Sequence, residues 1–320
     1  MNNPGNLMVS VCMITYNHED FIGQAIEGVL MQKSNFNIEL IIGEDASTDK
    51  TAAIVSKYVQ DYPDLIKVRY NKYNLGMMTN AINTLKECRG KYIAICEGDD
   101  YWTSPLKLGE QVNFLEANED YAMCFTRYNV VDSSGNVLQK NIGYSKDLSH
   151  EGVFSKRCPP TPTVLFRTDS LNRCLDSKIW NELYYPDHAL FGFITKDGKA
   201  KSLNINSVNY RIHKGGVWSQ DGFDKRLFKS QSNLEIMKKY FNESGELYAI
   251  EKGILNIKKK LLHFYLYNKR IRDFFELSYQ IIEEYKLKGF YHLFIIYLYL
   301  LKKMVKKSYK ILQGVVFMRS

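Results

Sequence analysis

Residues 8–15 read Met-Val-Ser-Val-Cys-Met-Ile-Thr, an almost continuous apolar run. A strand that is apolar on both faces is typical of a parallel sheet, because helices cover both sides of such a sheet. Apolar residues with helical spacing follow between Phe21 and Leu30. The first strand is therefore expected to lead through a helix into a parallel neighbour.

The alternation of strand and helix continues along the chain. Strands are predicted at residues 38–43, 66–70 and 92–96, and helices at residues 51–59 and 77–85. A βαβαβαβ order requires right-handed crossovers and predicts an α/β fold, with a doubly wound, mostly parallel sheet and helices on both faces. Ligands bind such sheets beyond the carboxyl ends of the strands, so the chemistry is expected there.

The strand at residues 92–96 runs directly into three carboxylates, Glu97, Asp99 and Asp100. Carboxylates this close raise each other's pKa, and a divalent cation is a common means of neutralising them. No Cys or His pair is nearby in the sequence, so oxygen ligands would favour a hard ion such as Mg²⁺ or Mn²⁺. The alternative is an acidic turn that caps the next helix, for which Asp100 and Ser104 are both suitable.

Four ordered blocks of sequence together resemble the family 2 glycosyltransferases, which have the GT-A fold. The blocks are MVSVCMITYNHEDFIGQAIEGVLMQ (8–32), IELIIGEDASTDKT (38–51), NLGMMTNAIN (74–83) and YIAICEGDDYWTSPLKLGEQV (92–112). The resemblance implies transfer of a sugar from a nucleotide-sugar, here a UDP-sugar, to an acceptor hydroxyl. In this family the transfer usually inverts the anomeric centre and uses a divalent metal.

The resemblance also assigns roles to residues of the donor site. It implies that Tyr16 lies against a uracil-type base and that Asp45 bonds the edge of the base. Asp99 and Asp100, with Glu97 beside them, would meet the ribose, the metal and the diphosphate. Asn74 would support the donor pocket. Alternatives are that Tyr16 covers the sheet end, that Asp45 belongs to a helix start, and that Asn74 is part of a turn.

Three positions depart from the pattern of the family. Glu44, Ala46 and Glu97 stand where Asp, Gly and Asp are frequent in the family. The identity of the carboxylate that contacts the metal therefore stays open. Asp49 is interpreted as the cap of the helix that follows, since Asp satisfies free amide groups at helix starts.

Acceptor chemistry is expected in the second half of the catalytic region. An inverting transfer needs a group that takes the acceptor's proton, and Asp187 matches the position of the family's base. Its alternative role is to cap the helix at residues 189–195. The proline-rich loop at residues 158–162 is either a wall of the acceptor pocket or a rigid connector.

The segment at residues 210–219 resembles the family's loop over the donor diphosphate. His213 would ligate the metal or bond a phosphate, and Arg211 would offset the charge of the leaving group. Trp218 is assigned to the same donor site. A structural role is the alternative for His213.

Composition fits a large globular protein. With 320 residues and 45% apolar content, the chain can bury a sizeable core and is expected to hold one full domain and an appendage. The six cysteines have no C-x-x-C spacing and are expected to be reduced core residues. The N-terminus lacks the features of a signal peptide. We therefore expect a cytoplasmic protein.

Positive charge is concentrated in the last third of the chain. Residues 225–320 hold 20 Lys or Arg and 8 Asp or Glu, a formal +12, whereas residues 1–224 carry −4. We interpret residues 1–224 as a GT-A catalytic domain and residues 225–320 as a basic α-helical region. Its helices are predicted at about 225–241, 246–266, 270–286 and 290–312.

The last of these helices joins an apolar, aromatic run at residues 290–301 to lysines within residues 302–307. About 20 apolar residues are needed to span a bilayer, so the run is too short. Aromatic residues followed by lysines suit an anionic cytoplasmic leaflet, which predicts peripheral contact with the cytoplasmic face of the inner membrane. A packed helix with a solvated lysine end is the alternative.

Other function classes fit the residues less well. A nucleic-acid-binding protein is disfavoured because the lysines flank apolar helices and no known nucleic-acid module is present. A dehydrogenase would need G-x-G-x-x-G after the first strand, and a nucleotidyltransferase a glycine-rich basic loop. A catalytically inert nucleotide-sugar-binding or scaffold protein stays as the alternative. The favoured interpretation is an enzyme of bacterial cell-envelope polysaccharide synthesis, acting on a glycan or lipid-linked acceptor, with its sugar and oligomeric state open.

Overall fold

The computed structural model describes residues 7–144, 146–155, 158–171, 174–216 and 221–285. The strands are β1 Leu7–Thr15, β2 Asn37–Glu44, β3 Ile66–Tyr70, β4 Tyr92–Ile95, β5 Tyr101–Trp102, β6 Tyr121–Val131, β7 Val137–Ile142, β8 Val164–Arg167 and β9 Lys199–Arg211. The helices are α1 Ile22–Leu30, α2 Thr51–Asp61, α3 Met77–Glu87, α4 Lys107–Ala117, α5 His150–Ser155, α6 Asp187–Thr195, α7 Phe223–Met237 and α8 Ser244–Tyr267. Residues 271–285 are also helical.

The first half of the sheet confirms the predicted α/β architecture. Strands β3, β2, β1 and β4 lie side by side, and all three pairings between them are parallel. The predicted strands and helices match the observed ones to within about two residues at each end. Because the strands are parallel, their carboxyl ends share one edge, where Thr15, Glu44, Tyr70 and the loop after Ile95 meet.

The second half of the sheet is mixed. β8 runs antiparallel between β4 and β6, and β9 runs parallel to β6. The short β5 pairs with β9 in antiparallel fashion, so the chain just after the acidic residues lies beside Asn209. This pairing ties the acidic loop to the end of β9 and brings Arg211 to the same edge.

A separate hydrophobic cluster packs on each face of the sheet. On one face, β1 and β2 contribute Val9 and Leu40 to a cluster with Ile26 of α1 and Leu108 of α4. On the other face, Ile93 and Phe166 pack with residues of α5, α6, α7 and α8. The six cysteines are buried and free, as predicted.

The helices after residue 222 share the second cluster with the sheet. Leu234 of α7 and Ile250 of α8 belong to the same cluster as Ile93 of β4. At Gly253 a Cβ atom would lie 2.2 Å from the carbonyl oxygen of Phe154, so α8 touches α5 through its backbone. The predicted helix at 290–312 lies outside the described residues. Across the described ranges, no helix is long and apolar enough to cross a membrane.

Candidate active site

A cavity of about 510 Å³ lies at the carboxyl edge of the parallel strands. The loops after β1, β2 and β4 line one side, and α6, α7 and the proline-rich loop line the other. The structure brings most of the predicted site residues to its walls: Tyr16, Asp45, Asn74, Glu97, Asp99, Asp100, Asp187 and Arg211. Trp218 lies outside the described residues.

The acidic loop is held against the end of β1 by its backbone. The amide of Gly98 donates to the carbonyl of Ile14 at 2.9 Å. A Cβ atom at Gly98 would lie 2.7 Å from Thr15 Oγ1 and 3.0 Å from His18 Nδ1. Such distances exclude any side chain without a shift of its neighbours. Glycine at this position therefore lets the acidic loop and the loop after β1 meet.

Asp99 faces two histidines. His213 Nε2 lies 3.0 Å from Asp99 Oδ2, and His18 Nε2 lies 3.9 Å from the same oxygen. Burial opposes the ionisation of Asp99, but the bond from His213 and the charges of both imidazoles hold its pKa below the usual value. Burial lowers the pKa of His18. Asp99 is thus a carboxylate beside imidazoles.

Asp100 accepts a hydrogen bond from the backbone amide of Arg211 at 2.6 Å and is buried. Burial and the charges of Asp99 and Glu97 raise its pKa. The capping alternative is wrong for Asp100, because α4 begins at Lys107 after Leu106 without a side-chain cap. Asp100 instead fastens the acidic loop to the end of β9.

Arg211 holds the acidic loop through hydrogen bonds from its guanidinium. Its guanidinium donates to the carbonyls of Asp99, Asp132 and Ser133 and to Gln24 Oε1, which occupies four of its five N–H groups. This position fits a residue that stabilises the loop. Contact of Arg211 with a leaving group stays a prediction.

Glu97 is the acidic residue whose charge is least compensated. One carboxylate oxygen accepts a hydrogen bond from Thr161 Oγ1, and the other is buried without a hydrogen-bond partner. Burial, and after it the charges of Asp99 and Asp187, raise the pKa of Glu97 to about 8 against the opposing bond from Thr161. An orphaned buried oxygen beside other carboxylates fits a cation or a proton. The proline-rich loop, which carries Thr161, is therefore a wall of the site.

Asp45 organises the loop after β3. Its carboxylate accepts hydrogen bonds from Asn71 Nδ2 at 2.8 Å, from the amide of Leu75 at 2.8 Å and from that of Gly76 at 2.9 Å. Asn74 Oδ1 also accepts from the amide of Gly76 at 2.9 Å, which makes Asn74 part of a turn on the cavity wall. Asp45 also lines the cavity, and its contact with the edge of a base stays a prediction.

Two further predictions concern residues at the donor end of the cavity. Tyr16 follows β1 with 41% of its surface exposed, so its ring is available to a ligand. Lys50, not Asp49, occupies the N-cap position of α2, but Asp49 accepts hydrogen bonds from the amides of Thr51 and Glu19 and so satisfies a free amide at the helix start. Stacking of Tyr16 on a base stays a prediction.

Asp187 is the first residue of α6 and lines the opposite side of the cavity. Pro186, not Asp187, occupies the N-cap position. Burial raises the pKa of Asp187 to about 6. A carboxylate with such a pKa is still largely ionised at pH 7 and is more basic than an exposed Asp, as a general base requires.

His18 is the site residue that sequence reasoning missed. Together with Asp99 and His213 it forms a group whose potential ligand atoms all lie within 4.8 Å of one another. The only signal in the sequence is its place three residues after the end of the first strand. Proximity to Asp99 and His213 depends on the Gly98 contact, which no sequence pattern encodes.

Comparisons with known proteins agree with this geometry. A family model described as Glycosyl transferase family 2 matches residues 10–175. An uncharacterised protein of Mycobacterium tuberculosis is 32% identical over 69% of this chain, and the chain spans 63% of that relative's length. The Escherichia coli protein UDP-Glc:alpha-D-GlcNAc-diphosphoundecaprenol beta-1,3-glucosyltransferase WfaP is 30% identical over 71% of this chain and 85% of its own length.

Solved structures share the fold at low sequence identity. TarS of S. aureus, in complex with UDP-GlcNAc, gives a TM-score of 0.53 at 18% identity and covers 86% of this chain and 92% of its own. A mannosyltransferase of Pyrobaculum calidifontis, in complex with GDP-Man and Mn²⁺, gives 0.54 at 16% identity, with 80% and 70% covered. At such identities the likeness shows a GT-A fold and not a substrate.

Proposed function

The chain belongs to glycosyl transferase family 2, and from this premise we propose that it transfers a sugar from a UDP-sugar to a hydroxyl of a lipid-linked glycan. The proposed transfer inverts the anomeric centre and depends on Mg²⁺ or Mn²⁺. The observation that carries the proposal is one cavity lined by His18, Asp99 and Asp187, with His213 bonded to Asp99.

The donor would occupy the side of the cavity next to β1, β2 and β4. Tyr16 offers an exposed ring for stacking, and Asp45, which lines the cavity, would accept a further hydrogen bond from the edge of a uracil. Asn74 shapes the wall beside them. The diphosphate would then lie toward Asp99, where a cation is needed to bring phosphates and carboxylates together.

Asp99 and His213 are the residues proposed to hold the metal. Glu97 and Asp100 are proposed as further ligands. The donor set fits a divalent ion, because Asp99 supplies an ionised oxygen ligand and one oxygen of Glu97 is buried without a hydrogen-bond partner. When bound, such an ion offsets the charge that develops on the leaving diphosphate. Arg211 and Gly98 hold the acidic loop in position for it.

Asp187 is proposed as the general base. The acceptor hydroxyl oxygen forms the new bond to the anomeric carbon as the bond from that carbon to the diphosphate oxygen breaks. The hydroxyl proton passes to the carboxylate of Asp187, whose raised pKa makes it a better acceptor than an exposed aspartate. A single displacement of this kind inverts the anomeric centre.

The acceptor proposal rests on relatives and on the cavity wall. The name of WfaP states that it acts on GlcNAc-diphosphoundecaprenol, and TuaG of Bacillus subtilis, 32% identical over 49% of this chain, is a putative teichuronic acid biosynthesis glycosyltransferase. Near Asp187 the wall carries Trp180 and Leu190, an apolar surface of the kind that packs against sugar rings. Bacterial cell-envelope polysaccharide synthesis is the proposed role.

Peripheral binding to the cytoplasmic face of the membrane is proposed for the C-terminal region. Lysines at 302, 303, 306 and 307 would each contribute about 1 kcal/mol near anionic lipid. Exchanging these four lysines for Gln should abolish sedimentation with anionic vesicles and leave transfer to a soluble acceptor intact. Wild-type protein that ignores such vesicles would contradict the proposal. The division into a catalytic domain at 1–224 and a basic helical region at 225–320 is part of the same proposal.

One assay tests the proposed function as a whole. Purified protein is incubated with UDP- and GDP-sugars, Mn²⁺ or Mg²⁺, and GlcNAc linked through a diphosphate to a polyprenol, and product is measured by mass spectrometry. We expect transfer from a UDP-sugar that stops in excess chelator and returns with added metal. Undiminished turnover in chelator, or transfer from GDP-sugars alone, would contradict it.

A further inference from the structure

His18 and Asp99, which line the cavity, meet a third side chain from a distant part of the sequence, His213. Nε2 of His18 and Nε2 of His213 both face Oδ2 of Asp99, at 3.9 Å and 3.0 Å. The three ligand atoms lie within 4.8 Å of one another. We propose that His18 is a third protein ligand of the metal, so that the site consists of two imidazoles and one carboxylate. This inference rests on the metal dependence proposed above.

His18 is oriented as a ligand by the atoms around its other ring nitrogen. Nδ1 lies 3.3 Å from the hydroxyl of Thr15, which leaves Nε2 for the cavity. Histidine ligands of metals almost always donate their second N–H to an oxygen of a carboxylate, a backbone carbonyl or water, which fixes the tautomer and the ring orientation, and the Thr15 hydroxyl would be that acceptor here. Thr15 thus supplies the support that a metal-binding histidine requires.

The backbone fixes the position of His18 as well. Its amide donates to Thr51 Oγ1 at 2.8 Å, and its carbonyl accepts from the amides of Phe21 and Ile22 at 2.9 Å. Gly98 allows the acidic loop to approach the ring, since a Cβ there would lie 3.0 Å from His18 Nδ1. His18 is therefore held in place before any ligand arrives.

A packing role is the competing explanation for this ring. The ring of His18 lies edge-on to that of His213, with centroids 5.9 Å apart, and tilted against Phe21 at 6.4 Å. Packing alone needs a flat ring and does not need Nε2 to face a carboxylate. The two explanations differ in what they predict for ion preference, because only a ligand changes the ion that the site favours.

The donor set determines the class of ion. Mg²⁺ prefers oxygen ligands and keeps its waters, whereas imidazole nitrogen suits transition metals. Two imidazoles with one carboxylate therefore favour Mn²⁺ or Co²⁺ over Mg²⁺. The sequence alone left Mg²⁺ and Mn²⁺ equal.

Direct metal binding tests the assignment without catalysis. Free Mn²⁺ is titrated with the full chain by electron paramagnetic resonance, with and without UDP, and Mg²⁺ and Co²⁺ are added as competitors. For His18→Gln we expect Mn²⁺ and Co²⁺ affinity to fall by about 10- to 100-fold, with a smaller loss for Mg²⁺. His263→Gln, a change in α8 away from the residues that line the cavity, is the matched control and should bind as the wild type does.

A second variant keeps the test decisive if His18→Gln folds poorly. His18→Glu replaces an imidazole nitrogen by a carboxylate oxygen, so it should restore binding with a preference shifted toward Mg²⁺. A packing role predicts loss without such a shift. Equal Mn²⁺ affinity in wild type and both variants would overturn the assignment of His18 and leave the proposed function intact. A wild type that binds no Mn²⁺, alone or with UDP, would overturn the metal dependence itself.

Discussion

Carboxylates occur in two very different settings in this molecule. In the loop after β4, Glu97, Asp99 and Asp100 are close together, and no lysine or arginine side chain forms an ion pair with them in the described part of the chain. In the helices after residue 222, exposed carboxylates lie beside lysines and arginines, as in the pair Arg272 and Glu276 at 2.7 Å, whereas Glu246 is buried beside Lys196.

The difference predicts which charges carry function. Burying a carboxylate without a cation costs free energy, so a cluster of such groups in a cleft is a candidate site for a ligand that supplies the missing charge. Surface pairs contribute little to stability and mainly keep the protein soluble. The charge of the acidic loop should therefore matter for activity and little for stability, and the charges of the helices should matter for neither.

The largest effect is expected for Asp99→Asn. The change keeps the shape of the side chain and removes the charge that faces His18 and His213, so we expect turnover to fall by roughly 10³-fold. The melting temperature should stay within a few degrees of the wild type. Release of UDP and differential scanning fluorimetry measure the two quantities.

The matched control is Asp273→Asn, which removes a surface carboxylate paired with Arg270 at 2.6 Å. Its turnover should equal that of the wild type. If Asp99→Asn and Asp273→Asn had the same small effect, the contrast between the two settings would have no functional meaning.

A loss of about 10²-fold in turnover is expected for Asp187→Asn, with UDP affinity nearly unchanged. Because burial raises the pKa of Asp187 to about 6, wild-type turnover should rise with pH through about 6 and then level off. The rise should be absent in Asp187→Asn. Kinetics between pH 5 and 8, together with calorimetric titration of UDP, give both results.

Stability separates a catalytic Asp187 from a structural one. A carboxyl whose pKa is raised on folding destabilises the fold as pH rises from the unfolded value through about 6. At pH 7.5 Asp187→Asn should therefore melt no lower than the wild type. A collapse of UDP affinity would place Asp187 in the donor site instead. Asp197→Asn, just beyond the other end of α6, is the control and should change neither quantity.

The sequence predicted the parallel half of the fold well, because buried parallel strands are continuous apolar runs and their crossovers have one hand. It also predicted that Glu97, Asp99 and Asp100 would reach the carboxyl edge, since that position follows from the end of β4. The order of β8, β6 and β9 could not be read from periodicity, because antiparallel insertion depends on packing.

Roles that depend on contacts between distant residues were the ones that sequence could not supply. His18 meets Asp99 only because Gly98 permits a close backbone approach. The bonds of the Arg211 guanidinium to carbonyls of the acidic loop and of the turn after β6 also join distant residues, and its contact with a leaving group stays a prediction. In both cases the residue type indicated a role in the site, but the sequence did not predict which residue each side chain contacts.

A substitution that changes no charge tests whether the helices after residue 222 contribute to stability through packing. For Gly253→Ala in α8 we expect destabilisation by about 1–3 kcal/mol, because the new Cβ would lie 2.2 Å from the carbonyl oxygen of Phe154. Urea denaturation measures the loss.

The same substitution at Gly109 of α4 is the control for Gly253→Ala. There a Cβ would lie 3.6 Å from the carbonyl oxygen of Lys33, an ordinary contact, so alanine should stabilise the helix by about 0.5–1 kcal/mol. Opposite signs would show that α8 is an integral part of the core. Equal effects would show that α8 is only loosely attached to the sheet.

The smallest effect is expected for Arg272→Ala. Arg272 is 90% exposed and pairs with Glu276 one helical turn away, where solvent screens the attraction and the long side chain loses rotational freedom. The melting temperature should change by no more than about 1 °C, and turnover by no more than the error of the assay. A clear loss of activity in this variant would mean that the surface charge of the helices acts on the active site, and the contrast between the two settings of carboxylates would then fail.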